Sequence, residues 1–233
     1  MYKVIDNFLP IETADKLYND WPKEDNTCWY KRTDLFQKNQ YGCNNPDLFP
    51  KSIKDVIDYF QSNEFIEFLT NETDVHDLQK DEFLHGGGIV QYGTGGYLDK
   101  HLDYDIHPKT GMQRRVNILL YLEKDWCDEW NGHLHIYKGD LLLDKILPKY
   151  NRLVIFEGTD SSWHGFPELL LCPINKFRKS INVYYVTKPI KDKSERPRAF
   201  FVPTVRPWSE DDYKTRDEYL QNVQIQQHKP NKT

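Results

Sequence analysis

The sequence predicts a mainly β protein of the α+β class, a sandwich or barrel of strands flanked by N-terminal helices. Residues 81–187 hold short apolar runs, each bounded by Gly, Pro, Asn or Asp, the punctuation of antiparallel strands. Residues 1–80 instead space apolar side chains at three- and four-residue steps, the period of an amphipathic helix. Strand-like and helix-like segments do not alternate, so a doubly wound parallel sheet is not expected. The 233 residues allow one or two domains. We expect one, made of a helical support region (1–80), a β core (81–187) and a polar extension (188–233).

The elements follow in order. Leu9-Pro10-Ile11-Glu12 opens a first amphipathic stretch. Thr27 to Pro50 is polar, aromatic and turn-rich, and reads as loop or edge strand. Ser52 to Leu69 carries Ile53, Val56, Ile57, Phe60, Phe65, Phe68 and Leu69 at helical spacing. Strands are expected at Gly88–Tyr92, Val116–Leu122, His133–Tyr137, Leu153–Phe156 and Ser180–Val186, with Gln91–Lys100 as a glycine-rich turn. After Lys188 the chain turns polar and proline-rich, and Ser209-Glu210-Asp211-Asp212 caps a short helix ending near Asn222. This tail and the Thr27–Pro50 segment are candidates for walls or lids over a site.

Composition narrows the function. The net charge of −5, from 31 basic and 36 acidic residues, gives no strong nucleic-acid signal. No apolar run approaches the ~20 residues of a membrane span, and Met1–Asp6 lacks the apolar stretch of a secretory signal. Cys28, Cys43, Cys127 and Cys172 form no C-x-x-C pair and read as reduced thiols, so a cytoplasmic location is expected. Gly86-Gly87-Gly88 is not followed by Lys-Ser/Thr and is no phosphate loop. Among the plentiful aromatics, Trp29, Tyr30, Tyr41, Trp126 and Trp130 are candidates to line a groove or to fill the core.

Chemistry enters with His101-x-Asp103. On a strand, residues i and i+2 face the same way, so this pair can grip one metal ion. About one such pair arises by chance at this abundance of His and Asp, and alone it reads as a surface hydrogen bond near a turn. Its setting adds weight, because His164 follows the Leu153–Phe156 strand. Two histidines and one carboxylate are the parts of a facial triad, which leaves coordination positions open on non-haem Fe(II). A competing set is His133, His135 and His164, with His133 and His135 otherwise on an outer face or at a substrate rim. In the last strand Ile181, Val183 and Tyr185 make an apolar face, and Arg178, Ser180, Asn182 and Tyr184 a polar one. The polar face either meets water or lines a barrel interior, where an inward Arg needs an anionic partner such as a carboxylate.

The order Tyr92-x-x-Gly95, His101-x-Asp103, Arg115-Val116-Asn117 to Tyr121-Leu122, Gly132-x-Leu134, His164 and Arg178-x-Ser180 resembles the Fe(II)/2-oxoglutarate-dependent oxygenases. It looks most like their prolyl 4-hydroxylase branch, and Tyr121–Trp126 is similar to the matching stretch of the hypoxia-sensing prolyl hydroxylases. The resemblance covers about residues 83–187 and departs from the pattern at Asn131–His135, where the family usually has two glycines.

The resemblance implies a double-stranded β-helix (jelly roll) with Fe(II) held by His101, Asp103 and His164. Arg178 would bind the far carboxylate of 2-oxoglutarate, helped by Tyr121, and Tyr92 would line the co-substrate or substrate pocket. O2 is the implied oxidant and ascorbate the implied reductant. The implied reaction hydroxylates an unactivated C–H bond, with succinate and CO2 as co-products. The expected substrate is a prolyl residue in a peptide or protein. The alternatives are an oxygenase acting on a free amino acid or other small molecule, and a non-catalytic jelly-roll binding module.

Overall fold

The computed structural model describes residues 1–190, 196–205, 207 and 209–227. In chain order the elements are β1 (Tyr2–Ile5), α1 (Ile11–Asp20), β2 (Tyr30–Arg32), β3 (Gln37–Cys43), α2 (Lys51–Phe60), α3 (Asn63–Thr73), β4 (Gln79–Lys80), β5 (Gly88–Leu102), β6 (Gln113–Tyr121), β7 (Leu134–Lys138), β8 (Leu141–Ile146), β9 (Arg152–Glu157), β10 (Ser162–Phe166), β11 (Arg178–Thr187), β12 (Phe200–Phe201) and α4 (Glu210–Gln227). All sheet pairings are antiparallel. The strands run β1-β9-β6-β11-β5-β10-β7-β8, with β2, β3, β4 and β12 added at the sides. The fold is mainly β, with a curled antiparallel sheet forming a jelly-roll core.

One strand makes the curl. β5 pairs with β11 over Gly88–Tyr92 and with β10 over Leu98–His101, so it belongs to both halves of the roll. The change of partner falls at Gly93-Thr94-Gly95-Gly96, and Gly95 takes φ +74°. β3 registers Lys38 against Tyr97 but Gln40 against Tyr92, so the glycines bulge out of β5. The stretch expected to be a turn is therefore a kinked strand. Glycine there supplies both the positive φ and the room to bend.

Where the strand starts, Gly88 takes φ +93°, and a Cβ on it would lie 2.2 Å from the Cys43 carbonyl oxygen. Because backbone, not a movable side chain, stands in the way, Gly88→Ala is expected to cost roughly 2–4 kcal/mol in urea unfolding. An unchanged midpoint would refute that reading of the turn.

The apolar face of β11 builds the core. Ile181, Val183 and Tyr185 are buried with Ile118 and Leu120 of β6 against Leu17, Ile53, Phe60 and Phe65 of the helices. Full burial of each such side chain contributes about 1.5–3 kcal/mol. The stretch expected as one helix over 52–69 is two. Ser62 adopts an extended conformation, and its hydroxyl accepts from the Phe65 amide at 3.2 Å, starting α3 afresh. Thr27–Pro50 contains the β2–β3 hairpin, and β3 pairs along β5.

The C-terminal segment is woven into the roll. Phe201 pairs with His101 and Phe200 with Leu102 in β12. The buried Asp99 carboxylate accepts from the Thr204 amide (3.0 Å), the Thr204 hydroxyl (2.6 Å) and the Val205 amide (3.1 Å). At the other end, Arg196 Nε donates to the Asp103 carbonyl at 3.1 Å and Nη1 to Asp160 at 2.7 Å. Residues 196–205 thus form a strap across the strand that carries His101. α4 follows, with the Ser209 hydroxyl accepting from the Asp212 amide, and runs to Gln227, beyond the end expected near Asn222.

Candidate metal and co-substrate site

His101 is the penultimate residue of β5, two residues before Asp103, and β10 places His164 opposite it in register. Ligand atoms of these three side chains lie within 4.8 Å of one another, and no other such group occurs among the described residues. His101 Nδ1 faces the Asp99 carbonyl and His164 Nδ1 the Ser162 carbonyl, each at 2.9 Å. Both contacts fix the proton on Nδ1 and turn a bare Nε2 toward the cluster. Asp103 lies 3.7 Å from His101 Nε2 and 3.4 Å from His164 Nε2. Two imidazole nitrogens and a carboxylate oxygen converging this way suit a first-row divalent metal with positions left open.

A second layer holds the carboxylate. Arg114 pairs with Asp103 Oδ2 at 2.9 Å, Asn117 Nδ2 donates to the same oxygen at 3.0 Å, and Arg114 Nε donates to Asn117 Oδ1 at 2.6 Å. The Arg114 guanidinium lies 3.2 Å from the centre of the Tyr184 ring. Burial alone would raise the Asp103 carboxyl, but Arg114 and the two imidazoles overcome it and hold it down at about 2. Arg114 was not among the expected site residues. Beside Arg115 it reads as surface charge, and only the tertiary contact with Asp103 reveals its use.

Burial, reinforced by the neighbouring His164, lowers His101 to about 3. In the unfolded chain His101 takes up a proton near pH 6.5, whereas in the folded chain it stays neutral until about pH 3. Its contribution to stability is therefore full above pH 6.5 and lost as the pH falls toward 3. The metal-free protein is expected to lose roughly 1 kcal/mol per pH unit from this group within that window. Urea midpoints from pH 7 to 4 should fall less steeply in His101→Asn. Parallel declines would show that the imidazole titrates normally in the fold.

Arg178 opens β11 and is buried, as its outward-facing alternative would not be. Its Nε donates to the Gly132 carbonyl at 2.7 Å and its Nη2 to the Tyr121 hydroxyl at 2.9 Å, with the Phe166 ring centre 4.3 Å from the guanidinium. Tyr121 is fully buried. Tyr92 stands opposite Arg178 in register, but its hydroxyl is engaged by Gln40 Nε2 (2.6 Å) and Gln37 Oε1 (3.4 Å).

One cavity of about 1150 Å³ is lined by His101, Asp103, His164, Arg178 and Tyr92 together with Ser180, Asn182 and Tyr184, whereas Tyr121 does not line it and stands behind Arg178. The polar face of β11 thus points inward. The β2–β3 hairpin contributes Tyr30, Arg32, Gln37 and Gln40, and the strap contributes Pro197, Arg198, Ala199 and Phe201, so both expected walls are present. Of the five candidate groove aromatics only Tyr30 lines this cavity. Trp29 joins the main core with Tyr41 packed against it, and Trp126 and Trp130 join a smaller cluster. The set His133, His135 and His164 is not assembled. In β7 the neighbour of His135, Ile136, stands opposite His164, which leaves His135 on the other face, where it meets Tyr137 at 3.0 Å and Glu168 at 3.8 Å. His133 pairs with Asp128 at 2.9 Å.

No helix among the described residues is long and apolar enough to cross a membrane. No match is found among curated protein sequences. Solved structures similar to this chain include a prolyl-4-hydroxylase from Pseudomonas putida (TM-score 0.56, 16% identity, covering 80% of this chain and 92% of that one). A prolyl hydroxylase from Trichoplax adhaerens, solved with a hypoxia-inducible-factor peptide, aligns at TM-score 0.52 and 17% identity over 79% of this chain and 83% of that one. HygX from Streptomyces hygroscopicus, solved with nickel and 2-oxoglutarate, aligns at TM-score 0.55 and 10% identity over 80% and 82%. At these identities the likenesses establish the fold. Residues 87–186 match the family model described as the 2OG-Fe(II) oxygenase superfamily, which implies Fe(II) and 2-oxoglutarate as cofactor and co-substrate. Residues 87–186 thus match the 2OG-Fe(II) oxygenase superfamily model, and the solved structures named above share the fold.

Proposed function

We propose that the protein is a dioxygenase that hydroxylates a prolyl residue in a peptide or protein. In this reading Fe(II) is held by His101, Asp103 and His164, and 2-oxoglutarate by Arg178 with Tyr121. One observation supports it above the rest: a metal-competent triad and a buried arginine fork face the same cavity. When bound, Fe(II), 2-oxoglutarate and dioxygen supply the oxidising power for hydroxylation, with succinate and carbon dioxide as co-products, and ascorbate serves as reductant.

The chain's own residues do the rest. Backbone carbonyls of Asp99 and Ser162 keep both imidazoles in the ligating tautomer. Arg114 and Asn117 keep Asp103 ionised and aimed. Arg178 offers its planar fork to a carboxylate, and the Tyr121 hydroxyl, already in contact with it, supplies a second donor. Tyr92, bonded to Gln40 and stacked edge-on to Phe166 at 4.7 Å, shapes the wall. The hairpin and strap flank the cavity as a peptide-binding cleft would require.

A small-molecule substrate is the second reading, favoured by the likeness to HygX, one structure of which holds hygromycin B. Incubation with a peptide library, Fe(II), 2-oxoglutarate and ascorbate decides between them by mass spectrometry. A +16 Da shift on proline that requires 2-oxoglutarate is expected. A shift confined to free metabolites would overturn the prolyl reading. Absence of succinate release from any substrate would favour a non-catalytic binding module.

A further inference from the structure

The reading above uses Arg178 from the inward face of β11 and leaves the rest of that face without a task. Asn182 lies on it, two inward positions beyond Arg178 and one before Tyr184, whose ring lies against Arg114 and so beside Asp103. By strand rise, the Cα atoms of Arg178 and Asn182 are about 13 Å apart. Asn182 lines the cavity, and its Oδ1 is buried without a hydrogen-bond partner. It alone, of the buried side-chain atoms left unpartnered among the described residues, belongs to a residue of the cavity's metal-and-arginine face; His107, also a lining residue, has the Asp81 carboxylate 3.3 Å away. A buried amide oxygen left unpaired in the fold is costly unless a ligand or a turn of the amide completes it.

We infer that Asn182 is a co-substrate-contacting residue, its carboxamide hydrogen-bonding the metal-proximal end of 2-oxoglutarate while Arg178 takes the far end. This rests on the function proposed above. A carboxamide carries an acceptor and two donors in nearly the same shape, so a half-turn about χ2 brings its NH2 group to the cavity. The two ends of the co-substrate demand different hosts. The far carboxylate is free and suits a full positive charge. The near carboxylate would share its charge with the metal, and a neutral donor there would add direction without competing with the cation. The spacing along β11 places a cation and a neutral amide in that order.

Anaerobic titration of the Mn(II)-loaded protein with 2-oxoglutarate and with 2-oxobutanoate, which lacks the far carboxylate, separates the two hosts. Asn182→Ala is expected to weaken both acids about tenfold, the loss of one hydrogen bond to a charged group. Asn182→Asp should weaken both further by charge repulsion, and Asn182→Gln should recover part of the loss. Arg178→Ala should weaken 2-oxoglutarate and leave 2-oxobutanoate unchanged. Unchanged affinity for both acids in Asn182→Ala, with an unaltered melting temperature, would overturn the inference, as would a loss restricted to 2-oxoglutarate. Should the wild-type protein bind neither acid, the proposed function falls first and the inference with it.

Discussion

Asp103→Asn and His164→Ala are expected to lower succinate release by more than ~100-fold, since loss of mere supporting partners of a metal ligand already costs 10–100-fold. The two variants fail for different reasons. Asp103→Asn keeps the shape but removes the charge that both imidazoles and Arg114 face. It leaves the Arg114 guanidinium buried without its counter-charge, a loss of roughly 3–5 kcal/mol in unfolding free energy for a pair of this kind. His164→Ala removes a ring that sits 4.3 Å from His101 and 4.8 Å from Phe156 while leaving the Asp103–Arg114 pair intact. Asp103→Asn should therefore lose both metal and stability, and His164→Ala chiefly metal. Mn(II) affinity read by electron paramagnetic resonance checks this, and retention within threefold in both variants would remove the triad from the metal site.

Arg178→Ala should raise the KM for 2-oxoglutarate by about 100-fold or more, with a smaller change in kcat at saturation. The guanidinium is held on two sides before any ligand arrives, by Gly132 and Tyr121, and is stacked near Phe166. Its direction is thus fixed in advance, and a preorganised fork loses little freedom on binding a carboxylate. Removing it takes away a desolvated charge pair worth 2–5 kcal/mol when only one partner is truncated. Arg178→Lys should not restore the wild-type value, because an ammonium cannot reach Gly132 and a carboxylate with the same planar geometry. A KM within threefold of wild type for the alanine variant would assign the far carboxylate to another cation.

The fold was readable where turn residues bracket apolar runs, as at Leu153–Phe156 inside β9 and Ser180–Val186 inside β11. It was hidden where a strand lacks that signature. β8 begins with three exposed leucines, Leu141 to Leu143, that do not alternate, and β10 carries Trp163-His164-Gly165 with no apolar periodicity. In β5 the glycines that let the strand change partners are the residues that suggest a turn. The clustering of His101, Asp103 and His164 was legible because the first two are spaced to share a strand face and His164 follows the strand that became β9. Arg114 and Asn117 were not, because their purpose is defined only by side chains brought near from other strands.

The strap over β5 also bears on how the protein is made. His101 lies between the two anchors of the strap, at Asp99 and Asp103, and its ring is stacked on Phe201 at 4.9 Å. On the ribosome, residues 81–187 emerge and can begin to pair before residues 196–205 have been synthesised. Until residues 196–205 leave the exit tunnel, the His101 ring lacks its covering partner and Asp99 lacks the three donors it accepts from. The surroundings of His101 are accordingly completed only after the β core that carries it has been made.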